Sequence, residues 1–298
     1  MQNKPYFSVV LPNYNHGKFL KQAIDSVLNQ SYNNWELLII DNHSSDNSDK
    51  IISSYDDPRI KSFKIKNDGV IAKSRNYGIK NSKADWIAFL DSDDIWYENK
   101  LSTLINLTYK GFDIICSNEY QNKIYESKKT PNYYNLETKK FYDELLIFGN
   151  KLSTSSTIVS NSFLKKKKLL FNESKDLITV EDYDLWLNIA LKNGNFGFCE
   201  DFLGEYRIHG KNLSENFDYH FKNLKNLTML HVFEIQNFSN SQDLWEIIEP
   251  RLKIIRISYY LRKNIYRGLS LLVREMFSLK ASKSISLLKF LIKKLFRR

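Results

Sequence analysis

The carboxylates of Asp91-Ser92-Asp93-Asp94 follow directly on Trp86-Ile87-Ala88-Phe89-Leu90, an apolar run that reads as a buried strand. Acids so placed cannot hold phosphate directly, because both groups are negative. A hard divalent cation resolves the conflict, since Mg2+ or Mn2+ takes carboxylate oxygens on one side and the oxygens of a nucleoside diphosphate on the other. In extended backbone residues i and i+2 share a face, so Asp91 and Asp93 are expected to point together. A solvated turn or helix cap would use the same residues, and the motif alone leaves both readings open. Further chemistry-bearing residues are scattered along the chain: Asp41, the pair Glu181-Asp182, and His209 with Arg207 two positions before it.

The surrounding elements decide whether these residues meet. Phe7-Ser8-Val9-Val10-Leu11 reads as a buried strand stopped by Pro12, and Lys18 to Gln30 carries Phe19, Leu20, Ala23, Ile24, Val27 and Leu28 at helical spacing. Trp35 to Ile40 is a second strand, ended by the turn- and cap-forming run Asp41-Asn42-His43-Ser44-Ser45-Asp46. A helix through Ile51, Ile52 and Tyr55, a more exposed strand from Ile60 to Ile65 and a helix from Ile71 to Ile79 follow. Alternating strands and helices predict an α/β fold with a largely parallel sheet. Ligands of such sheets bind beyond the carboxyl ends of the strands, so Asp41 and Asp91 are expected to face one crevice. Phe112 to Cys116 and Thr157 to Val159 are further expected strands, and Asp182 to Leu191 is an expected helix. From Asn216 onward the pattern is helical, with no internal repeat.

The chain has 298 residues and is 42% hydrophobic, enough for one large core or two smaller ones. Its two cysteines, Cys116 and Cys199, have no His or Cys neighbour at ligand spacing, which argues against a disulfide framework or a zinc site. The polar start, Met1 to Tyr6, predicts no signal peptide, and no apolar run approaches the ~20 residues of a membrane span. A reducing cytoplasm is the expected compartment. The net charge of +10 is unevenly spread: residues 251–298 hold 14 Lys/Arg against Glu275 alone, leaving 30 basic and 33 acidic residues in 1–250. In 281–298, Ile285, Leu288, Leu291, Ile292, Leu295 and Phe296 fall on one helical face with lysines and arginines elsewhere. That pattern suits an interfacial helix on an anionic membrane, and equally a helix packed on its own protein with a solvated basic face.

Five ordered segments resemble family 2 glycosyltransferases of the GT-A fold. They are Ser8-Val9-Val10-Leu11-Pro12-Asn13-Tyr14-Asn15, Ala23-Ile24-Asp25-Ser26-Val27-Leu28-Asn29-Gln30, Leu38 to Asp46, Ala72-Lys73-Ser74-Arg75-Asn76-Tyr77-Gly78, and Ile87 to Asp94. The resemblance implies a nucleotide-sugar-binding half in 1–100, an acceptor half in 101–215 and a helical extension in 216–298. It further implies that Pro12, Tyr14 and Asn15 line the nucleotide pocket, and that Asp41 accepts a hydrogen bond from the base, usually uracil. Asn42 stands where the family usually has a second Asp, and its carboxamide can still bond a neutral base or ribose in the nucleotide site. Arg75 resembles the basic residue that approaches the pyrophosphate, with a surface helix arginine as the alternative. Asp91 is implied at the ribose or metal, Ser92 at the nucleotide-sugar, Asp93 at the metal, and His209 at the metal or the pyrophosphate. Glu181-Asp182 resembles the acidic pair that supplies the base, Asp182 ahead of Glu181, although acids at a helix start also serve as caps. Gly149 to Thr157 resembles the loop over the donor sugar, or is a polar linker.

The activity so implied is inverting, metal-dependent transfer from a nucleotide-diphospho-sugar to a hydroxyl of a glycan or lipid-linked saccharide, as in bacterial surface polysaccharide synthesis, on the inner face of the cell membrane. Two rivals remain. A sugar nucleotidyltransferase also pairs acids with Mg2+, but it normally carries a Gly-rich basic loop where this chain has Pro12-Asn13-Tyr14-Asn15-His16-Gly17. A nucleic-acid-binding protein fits the pI of 9.2, yet the charge sits on one amphipathic tail rather than an aromatic platform, so no nucleic-acid partner is expected.

Overall fold

The computed structural model describes residues 6–135, 141–210, 212, 215–235 and 240–278. The expected amphipathic helix of 281–298 lies outside them. Two compact units divide the chain, Met1–Asn223 and Leu224–Arg298.

In the first unit the elements run β1 (Phe7–Asn13), α1 (Gly17–Leu28), β2 (Trp35–Asp41), α2 (Ser48–Ser53), β3 (Ile60–Lys64), α3 (Ile71–Asn81), β4 (Trp86–Phe89) and β5 (Ile95–Trp96). There follow α4 (Lys100–Thr108), β6 (Ile114–Lys123), β7 (Thr130–Asn132), α5 (Phe141–Phe148), β8 (Thr157–Ser160), α6 (Asn161–Lys167), α7 (Glu181–Leu191) and β9 (Phe196–Ile208). Helix α8 (Phe217–Met229) crosses the unit boundary. Among the described residues nine strands form one sheet, ordered β3-β2-β1-β4-β8-β6-β9-β5, with β7 on β6. Strands β3, β2, β1 and β4 are mutually parallel, and β6 is parallel to β9. The antiparallel β8 joins the two sets.

Both faces of the parallel half are covered, which explains why β1 and β2 are buried throughout and mostly apolar, with Ser8, Asn13, Glu36 and Asp41 as the polar positions. Phe7, Val9, Leu11, Leu37 and Ile39 pack with Leu20, Ala23, Ile24 and Val27 of α1 and with Leu101 and Leu104 of α4. The opposite face carries Val10 and Ile40 against Gly78 of α3, where an added Cβ would sit 2.4 Å from Val10 Cγ1. Each buried Leu, Ile or Val contributes about 1.5–3 kcal/mol.

Pro12 does not stop β1, contrary to expectation; the strand runs to Asn13 and Pro12 pairs with Ile40. Val10 turns its carbonyl toward β4, accepting from Leu90 N at 3.1 Å. Two residues on, Pro12 faces the same side, where β4 has already ended, so its missing N–H leaves no ladder bond unmade. Strand β9 has no counterpart in the sequence reading, because Glu200, Asp201 and two glycines interrupt its apolar alternation. It also meets β6 with register shifts around Asn118, which break period-two patterning.

In the second unit, α8 gives way to a π-turn at Leu230–Ile235, followed by α9 (Ser241–Lys263) and α10 (Ile265–Ser278). Gly268 lets α10 approach the α9 backbone, an added Cβ standing 2.5 Å from Leu261 N, and Lys253 reaches Glu275 at 3.1 Å. Among the described residues no helix is long and apolar enough to cross a membrane.

Candidate active site

The carboxyl ends of β1 and β2 build one wall. Asp41 is buried at 1% exposure and its carboxylate accepts from Asn13 Nδ2 at 2.7 Å, Ser44 Oγ at 2.6 Å and Ser44 N at 2.8 Å. Its oxygens thus organise the loop that follows β2. Asn15 adopts φ 54° and its Oδ1 accepts from Ser45 N at 2.7 Å, tying the β1 and β2 loops together. Asn42 Oδ1 accepts from Asn67 N at 2.9 Å, an acceptor role that an Asp would fill equally well. Pro12 is buried, whereas Tyr14 is 56% exposed above the wall.

The acidic motif is a turn, not extended backbone: Asp94 N donates to Asp91 O at 3.0 Å. The expectation that Asp91 and Asp93 share a face therefore fails, because a tight turn rotates successive side chains away from period-two alternation. Asp91 turns to Arg75, whose Nη2 donates to its Oδ1 at 2.7 Å. Asp93 turns to His209, with Oδ2 to Nε2 at 2.9 Å. Pairing of β5 with β9, Ile95 opposite Glu205, brings this turn to Arg207 and His209. Arg207 N donates to Asp94 Oδ1 at 2.9 Å and its guanidinium bonds the Asp93 carbonyl.

One ligand atom each from Asp93, His209 and His16 lie within 4.8 Å of one another. This set of one carboxylate and two imidazoles fits a divalent cation in donor chemistry. Asp91, expected among the ligands, is outside it. Burial works against the charge on Asp93, but the His209 hydrogen bond and the adjacent imidazoles hold its carboxyl below the usual range. Phe19 stacks on His209 at 4.5 Å, and Nδ1 of His16 lies 2.9 Å from the hydroxyl of the buried Ser92.

Arg75 joins the motif to α7. Its Nη1 donates to Glu181 Oε1 at 2.6 Å while Nη2 holds Asp91. It is thus neither a surface arginine nor free to extend, being 3% exposed between two carboxylates. Burial opposes its charge, yet Asp91 and Glu181 hold its pKa above the usual arginine value. Glu181 is 5% exposed, and burial raises its carboxyl despite the guanidinium. The neighbouring Asp182 is half-buried and accepts from Thr154 Oγ1 at 3.1 Å, from Asn150 Nδ2 at 3.4 Å and from the Tyr183 amide at 2.7 Å. The last bond satisfies one free amide of the α7 N-terminus, so the capping role of an acid at this place is also present. Burial raises the Asp182 pKa, with Arg75 pulling the other way.

The segment from Gly149 to Thr157 is not a solvated linker. Ser155 Oγ donates to Asp94 Oδ2 at 2.5 Å and accepts from Asp91 N at 3.1 Å, Ser155 O accepts from Trp96 Nε1 at 2.7 Å, and Ser156 Oγ bonds buried Glu119. Asp94 is pushed well up, by burial first and then by Asp93, Asp91 and Glu119. Sequence reasoning missed His16, Asp94, Ser155 and the bonds of Arg207. For His16 a signal existed, since it directly follows the matched segment ending at Asn15.

A mainly parallel sheet, acids beyond its strand ends and an acid-led helix beside them make up a fold of the GT-A class. The glycosyl transferase family 2 model matches residues 8–170, and the chain belongs to that family and is a transferase enzyme. It is 33% identical over 228 residues to the Escherichia coli UDP-Glc:alpha-D-GlcNAc-diphosphoundecaprenol beta-1,3-glucosyltransferase WfgD, covering 73% of this chain and 82% of that one. S. aureus TarS 1-349 in complex with UDP superposes with TM-score 0.59 at 17% identity, over 97% of this chain and 91% of its own. A Pyrobaculum calidifontis mannosyltransferase in complex with GDP-Man and Mn2+ gives 0.61 at 12% identity, over 99% and 82%.

Proposed function

We propose that this enzyme transfers a sugar from a UDP-sugar to a hydroxyl of a glycan or lipid-linked saccharide in surface polysaccharide synthesis, inverting the anomeric centre in a single displacement. The observation that carries the reading is the continuous path Asp182-Glu181-Arg75-Asp91, which sets a partly buried carboxylate beside the acidic turn holding Asp93. A UDP-linked donor and a lipid-linked acceptor are those in the name of the E. coli relative.

Asp182 is the base: its carboxylate takes the proton of the acceptor hydroxyl as that oxygen attacks. Thr154 and Asn150 hold the carboxylate in place. Glu181 is the positioning partner of Arg75, because its charge is already committed to the guanidinium. Arg75 in turn holds Asp91 at the crevice. Tyr14, Asn15 and the loop organised by Asp41 receive the nucleoside. Asp93 and His209 would hold a divalent cation, which supplies neutralisation of the diphosphate and of the charge that builds on the leaving group. With a lipid-linked acceptor, the basic 281–298 segment serves as a peripheral anchor on the inner leaflet.

The test is a panel of UDP- and GDP-sugars assayed for nucleotide release with Mn2+ and with chelator. Release from a UDP-sugar, abolished by chelator and by Asp93→Ala, is expected. Release from no donor, together with an Asp93→Ala protein indistinguishable from the parent, overturns the reading.

A further inference from the structure

We infer that His16 is a third protein ligand of the metal site. The inference rests on the proposed metal site and adds to it a residue.

His16 is in the β1–α1 loop, 77 positions before Asp93 and 193 before His209. Folding nevertheless brings one ligand atom of each within 4.8 Å of the others. Asp93 Oδ2 and His209 Nε2 are 2.9 Å apart. Ligands about 2.0–2.2 Å from one ion at adjacent positions stand roughly 3 Å from each other, so this spacing already suits coordination. The His16 ring lies edge-on to His209, centroids 5.9 Å apart at 85°, and edge-on to Phe19 at 6.3 Å. Phe19 and the buried Ser92 hydroxyl at Nδ1 restrict that ring on two sides. Packing and hydrogen bonding of this kind orient a ligand before the ion arrives. His16 occupies the N-cap position of α1 without making a side-chain cap bond, so helix capping does not account for its placement.

The experiment is Mn2+ titration of the full chain, followed by electron spin resonance with nitrogen-sensitive pulse detection. Expected is one tight site with two imidazole couplings. His16→Ala is expected to lose one coupling and weaken Mn2+ binding by at least about tenfold, as His209→Ala loses the other coupling. Thermal melting verifies the fold of each variant, and His16→Gln replaces His16→Ala if the latter melts early. A wild-type signal with one coupling, or a His16 variant with unchanged binding, overturns the inference. The glycosyltransferase reading fails separately: it falls if no donor is turned over with any ion, whatever the nitrogen couplings are.

Discussion

Arg75 is the counterion of two acids at once, and at 3% exposure it has no water to replace it. Removing one partner of a buried pair costs about 3–5 kcal/mol, because the other charge is left uncompensated. Arg75→Ala should therefore lower stability by that amount in urea unfolding, and adding Glu181→Gln should recover a measurable part. Asp182 makes a different prediction. Asp182→Asn should reduce kcat by about 10²–10⁴ in a nucleotide-release assay with the fold intact. The base acts when deprotonated and its pKa is raised, so kcat/KM should rise with pH through a value above the ordinary aspartate value of about 3.9. That limb should vanish in Asp182→Asn.

At the scale of elements, α3 is held to the sheet by the absence of a side chain at Gly78, where a Cβ would stand 2.4 Å from Val10 and 3.1 Å from Ile40. Gly78→Ala should destabilise by about 1–3 kcal/mol, as overpacking does, and calorimetry measures it. Glu36 joins three elements: it accepts from Ser8 of β1 at 2.6 Å, from Lys61 of β3 at 2.8 Å and from Lys83 N at 2.9 Å. Burial opposes its charge, but these donors lower its pKa below 4.5. A depressed folded-state value stabilises the fold above the unfolded pKa of about 4.3, and that stability is lost as pH falls through the folded one. Glu36→Gln should accordingly narrow the stability difference between pH 6 and pH 3 in urea unfolding. The elements around these residues were legible because both faces of β1 and β2 are covered, which leaves the apolar runs Val9-Val10-Leu11 and Leu37-Leu38-Ile39-Ile40. The long β9 was not, since its polar positions and register shifts hide the alternation.

For the whole molecule, a ligand that binds only the folded state adds stability by mass action. Mn2+ at a hundred times its dissociation constant should add about 2.7 kcal/mol, read as an upward Tm shift that Asp93→Ala abolishes. The basic tail makes an independent prediction. Deleting 281–298 should abolish sedimentation with anionic vesicles while leaving nucleotide release in solution unchanged, and continued sedimentation would place the anchor elsewhere.

By itself the sequence determined the α/β class, the family and the placement of Asp41 and Asp91 at strand ends, because apolar periodicity and short motifs are local properties of the chain. Tertiary structure alone decided which acids work together. The backbone bond that closes the Asp91–Asp94 turn sends Asp91 to Arg75 and Asp93 to His209, against the period-two expectation. Pairing of β5 with β9 brings together residues more than 100 positions apart. Helix α1 starts where His16 can join them. Such meetings depend on strand order and register, which are set by the competition of whole faces for burial and leave no mark in the spacing of the residues that meet.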